Sequence, residues 1–132
     1  MQASHHQPWL SVALLIGVIY FVLGKVFALP PTHLQAWRLA AWVACGVAFA
    51  AHIGFEHFRL HNAPRRLASH AALAVAIGAL LLALAGMFHS WQITSGIRPA
   101  WFLALILWPI FTAVPAFLVA WVAGAVLVRL RR

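Results

Sequence analysis

Four apolar runs, each long enough to cross a bilayer, dominate this chain: Trp9 to about Leu29, Trp37 to about Phe58, about Leu67 to Phe88, and about Pro99 to Val128. A helix needs roughly 20 apolar residues to span the hydrocarbon core. Within that core every backbone N–H and C=O must find a partner in the protein, which leaves helices or closed barrels. Barrel strands alternate polar and apolar side chains, and these runs do not. The sequence therefore predicts an all-α fold, a four-transmembrane-helix antiparallel bundle, with residues 1–132 as a single membrane domain.

The links between runs are short, and short links force consecutive helices to run antiparallel. Pro30 and Pro31 are expected to stop the first helix, because proline lacks a donor and restricts the residue before it. In "HNAPRR", Asn62 is expected to cap the third helix and Pro64 to sit in its first turn.

Composition agrees. Of 132 residues, 65% are hydrophobic and 8% charged, against about a quarter charged in ordinary soluble domains. The net charge of +8 comes from nine Lys and Arg against one acidic residue, Glu56. The basic residues lie in short segments between apolar runs, with no patch of interleaved aromatics, so they read as topology signals and headgroup contacts rather than a nucleic-acid surface. The single cysteine, Cys45, excludes an intrachain disulfide. "MQASHHQP" has no basic residue and no small-residue cleavage site follows the first run, so that run is expected to be retained, with His5 and His6 in a flexible polar tail.

One side of the bundle would carry Arg59, Arg65, Arg66, Arg129, Arg131 and Arg132, and the other Lys25, Arg38 and Arg98. That excess predicts both termini in the cytoplasm, in a bacterial-type inner membrane. Trp9, Trp37, Trp91 and Trp101 fall near run ends, where indole rings favour the interface.

Small residues recur at helical spacing. Gly46, Ala50 and Gly54 share a face of the second helix, and Ala74, Gly78 and Gly86 a face of the third, with Leu82 interrupting. Such faces let backbones approach and associate in lipid, within the hairpin or across a homo-oligomer. In the fourth helix Pro109 and Pro115 free the carbonyls of Leu105 and Phe111, and Thr112 stands between them to re-satisfy one. A kink is expected there.

Chemistry concentrates in Ala50–His70. With His52 at zero on a helical wheel, Glu56 lies at about 40° and Arg59 at about −20°, while His57 and His61 lie on the opposite face. The string is therefore not one ligand set. If the turn centres on Asn62 and Ala63, His70 returns at the depth of Glu56, with His52 about one turn deeper. His52, Glu56 and His70 would then supply two imidazoles and a carboxylate, suited to zinc or non-haem iron. His52 and His70 are also the pair that would hold a b-type haem, although a tight hairpin leaves little room for it. The simpler expectation is that Glu56 pairs with Arg59, Arg65 or Arg66, with His57 and His61 in the headgroup zone.

Four helices with a single acidic residue are similar in size and economy to the small multidrug-resistance transporters, whose essential carboxylate lies in the first helix. Here it lies near the end of the second, and the likeness is one of architecture. It implies a proton-coupled transporter using Glu56 as one reading. Soluble-type catalysis finds no support: there is no Asp, no second carboxylate, no phosphate-binding loop and no serine elbow. The expected role is non-enzymatic, a helix-packing subunit or homo-oligomer in the bilayer, with a metal or haem site in the hairpin as the alternative.

Overall fold

The computed structural model describes residues 8–29, 32–94, 96 and 98–130. His5, His6, Pro30, Pro31, Arg131 and Arg132 fall outside them. Among the described residues there are four helices and no strands: α1 (Pro8–Val26), α2 (Leu34–Phe58), α3 (Pro64–Thr94) and α4 (Ala100–Leu130). All four are long and apolar enough to cross a membrane.

Two helices outrun their apolar runs. Helix α3 extends to Thr94, through the polar segment His89–Gln92, and α2 begins at Leu34 rather than Trp37. Polar residues at a helix end cost little where they leave the hydrocarbon, so the helix continues past the span. The turns follow local chemistry. Pro64 opens α3, where its missing N–H is no loss. The first bond of α3 runs from Leu67 N–H to Ala63 C=O (3.0 Å), which makes Ala63 the capping residue. Asn62, expected to cap, does not: its side chain donates instead to Glu56. His61 adopts the left-handed backbone (φ 52°), which reverses the chain after α2.

Helix α3 is the centre of the bundle, packed against α1 on one side and α4 on the other. Small residues make the close approach possible. A Cβ on Gly78 would lie 2.7 Å from Tyr20 Cβ and 3.0 Å from the Gly17 carbonyl oxygen of α1. One on Gly86 would lie 2.6 Å from the Trp101 ring of α4. Ala74 is fully buried against Ala13 and Tyr20. The small face of α3 thus serves both neighbours, with Gly17 and, on α4, Gly124 as counterparts; a Cβ on Gly124 would lie 3.2 Å from Pro64 Cα.

The small face of α2 meets no other helix among the described residues. Gly46 has nothing within 4 Å of its Cβ position, Ala50 is exposed, and Gly54 meets only Phe58 of its own helix at 4.0 Å. Packing of this face within the hairpin does not occur. Helix α2 instead leans on α1 through the partly buried Cys45, Ala48 and Phe49, and enters the α3–α4 core through Ile53, beside Leu67, Ala71 and Ala120.

Helix α4 runs unbroken through Pro109 and Pro115. Thr112 Oγ1 donates to the Trp108 carbonyl at 2.9 Å, with the Pro109 carbonyl at 3.1 Å. It does not reach the Leu105 or Phe111 carbonyls freed by the prolines.

Candidate functional site

The buried residues of α2 are His52, Ile53, Glu56 and His57, all at its C-terminal end. Three of the four are polar or charged. Taking such groups out of water costs several kcal/mol each unless partners replace the solvent, so their partners define the site.

Glu56 is fully buried. His70 Nδ1 of α3 lies 3.0 Å from its Oε2 and 3.1 Å from its Oε1. The Asn62 carboxamide donates to Oε2 from the turn. His52, one turn back on α2, places Nε2 3.6 Å from Oε1. That is ion-pair range, too long for a hydrogen bond. His52 is itself 1% exposed, and neither ring nitrogen has a hydrogen-bond partner among the described residues. Above His70, the Trp9 ring of α1 stacks at 4.4 Å with a 7° interplanar angle. One carboxylate thus gathers α2, the turn and α3, and the stacked pair adds α1.

The structure brings His52, Glu56 and His70 together, as the register of the hairpin requires. The expected pairing of Glu56 with arginine is overturned: Arg59, Arg65 and Arg66 are all exposed, and the carboxylate faces inward to the histidines. A carboxylate at about 40° from His52 on the wheel points at α3, and α3 presents His70 there. His57 is also buried. It sits edge-on to Phe58 (4.9 Å, 83°), and its Nε2 has no hydrogen-bond partner among the described residues.

Two participants escape sequence reasoning. Asn62 looks like a helix cap, and only the six-residue reach across the turn back to Glu56 reveals its other use. Trp9 looks like an interfacial anchor. Its depth on α1 matches that of His70, but nothing in the sequence says that α1 lies against α3.

Among the described residues no group of three or more His, Cys, Asp or Glu is arranged to hold a metal ion. His70 has Nδ1 on the carboxylate and one ring face under Trp9. Neither His52 nor His70 lines the hollows of about 280 and 230 Å³ at the α2–α3 turn and between α1 and α2. What the arrangement presents is a buried carboxylate bonded to one imidazole and within ion-pair range of a second.

No protein-family model, curated protein or solved structure matches this chain.

Proposed function

We propose that this is a small integral membrane protein that works as a non-enzymatic helix-packing subunit, presenting the Gly46–Ala50–Gly54 face of α2 to a further transmembrane helix, most simply that of a second copy. The observation that carries this reading is that one face of α2 is buried at its C-terminal end and open farther back. Ile53 is buried in the α3–α4 core, yet Gly46, seven residues earlier on the same side of the helix, has open space around it. Trp42, Val43 and Val47 flank the small residues and are 79%, 66% and 65% exposed. A small-residue notch between large side chains suits the close approach of another helix, where van der Waals contact drives association. The excess of arginine at the α2–α3 turn and the end of α4 supports a cytoplasmic placement of that end, as in a bacterial-type inner membrane.

The test is energy transfer between donor- and acceptor-labelled chains in vesicles, followed as lipid is added. Association that Gly46→Leu weakens supports the reading. Transfer no greater than that of an unrelated monomeric span, at every dilution, sinks it.

A second reading rests on a different observation. His52 is buried without a hydrogen-bond partner among the described residues, beside a buried carboxylate, and ionisable groups inside membranes commonly serve ion or proton paths. On this reading Glu56 is the proton carrier of a small proton-coupled transporter. Proteoliposomes loaded with a pH-sensitive dye check it: flux must be present in the wild type and lost in Glu56→Gln.

A further inference from the structure

Helix α2 leans on α1 through Cys45, Ala48 and Phe49. One and two turns nearer the start of α2, at Ala41 and Arg38, the two helices part around a hollow of about 230 Å³, lined by Gly24, Phe27, Ala28, Leu34, Arg38 and Ala41. At this level α1 is drawn to α3 instead: a Cβ on Gly24 would lie 2.9 Å from Leu82 Cδ2. Gly24, Ala28 and Ala41 are small, so the gap towards α2 is left open. The ring contact of Phe27 with Trp37 (5.9 Å, 50°) stands beside it.

The hollow is apolar with one exception. Arg38 is its only charged lining residue, and it has no hydrogen-bond or ion-pair partner among the described residues. The one acidic side chain of the protein cannot serve it. Glu56 is buried against His70 farther along the same helix, a rise of about 27 Å from Arg38. The other Lys and Arg side chains described at this end of the bundle, Lys25 and Arg98, are exposed.

Position and size point to the same kind of ligand. Arg38 lies in the second turn of α2, next to Trp37. Its charged head therefore falls at the depth of lipid headgroups, while its apolar stem borders the hydrocarbon. A guanidinium fork pairs with a phosphate through two parallel N–H bonds. The volume of about 230 Å³ is below the roughly 300–1,000 Å³ of pockets that enclose a whole small molecule. It suits a length of one hydrocarbon chain whose remainder lies in the bilayer.

We propose that this hollow binds a single anionic phospholipid, with the phosphate on the Arg38 guanidinium and part of one acyl chain between Gly24, Ala28 and Ala41. Charge selects the headgroup. With Lys25, Arg38 and Arg98 at this end, the ammonium of a zwitterionic lipid would meet like charge, whereas an anionic headgroup is attracted. The proposal does not depend on α2 pairing with another helix.

The test counts lipids on the full chain by native mass spectrometry, after release from maltoside micelles to which phosphatidylglycerol or phosphatidylcholine has been added. One phosphatidylglycerol per chain is expected to stay bound, in preference to phosphatidylcholine. Arg38→Gln should weaken its binding about tenfold, the scale of one lost charge-assisted hydrogen bond. Arg98→Gln removes the same charge at the same end but outside the hollow, and should leave binding unchanged. Both arginines are exposed, so neither change disturbs the packed core. Ala41→Leu keeps Arg38 and fills the hollow, and should also weaken binding. No retained lipid, equal retention of the two lipids, an equal loss in Arg98→Gln and Arg38→Gln, or undiminished binding by Ala41→Leu overturns the proposal.

Discussion

The imidazole of His70 lies parallel to the indole of Trp9, 4.4 Å between ring centres and 7° between planes, while its Nδ1 is 3.0 Å from Glu56. One histidine on α3 is therefore held by α1 through its face and by α2 through its edge. In lipid, where apolar burial gives helices little reason to associate, such specific contacts carry much of the packing.

Replacing Trp9 tests the stacked side of that arrangement. Trp9→Phe keeps an aromatic face and should lower stability by less than about 1 kcal/mol, the worth of one ring pair. Trp9→Ala should lose more, because it also leaves the space above His70 empty. Thermal unfolding in maltoside micelles reads both. An alanine variant as stable as wild type would mean that the contact holds nothing.

The carboxylate should behave as the centre of its cluster, and His52 as its least satisfied member. Glu56→Leu strands the Asn62 amide and His70 Nδ1 and should cost about 3 kcal/mol. His52→Leu removes a buried ring whose nitrogens lack partners, so stability should hold or rise. The same His52→Leu protein, assayed for proton flux, separates the two functional readings. A stable variant that has lost flux assigns His52 to transport.

Glycines with the same sequence pattern should respond oppositely. Gly78→Ala forces a methyl toward Tyr20 Cβ and the Gly17 carbonyl, so α1 and α3 must part, at roughly 1–3 kcal/mol. Gly46→Ala meets nothing within 4 Å and gains helix propensity, so the monomer should be unharmed or slightly steadier. Unfolding in micelles, where the chain is dilute, compares the two without interference from association.

These residues also show what a sequence can convey. Run length alone gives four helices, because the bilayer sets a length scale that a soluble core does not. The meeting of His52, Glu56 and His70 follows from helical pitch and a short turn. Which helix lies beside which does not, because apolar faces look alike to lipid and to protein. That is why Gly46 and Gly78, alike in pattern, have different surroundings, and why Trp9 could not be matched with His70. The choice of Glu56 between outward arginines and inward histidines is also set by this neighbourhood: α3 turns His70 to it, while the arginines remain at the wet end. Asn62 misleads for a related reason. A cap and a carboxylate compete for its amide, and only the tertiary position of Glu56 decides.

The link between Glu56 and His70 also orders events during synthesis. The two residues are 14 apart in sequence and belong to successive helices. Chains emerge from the ribosome N-terminus first, so the carboxylate of α2 leaves the tunnel while its principal partner is still inside it. Until α3 follows, Glu56 has His52 of its own helix and Asn62 of the turn beside it. The Trp9 contact of α1 is deferred to the same moment, since its partner too is His70. The Glu56 and Trp9 contacts of His70 therefore both date from the arrival of α3, on a single imidazole.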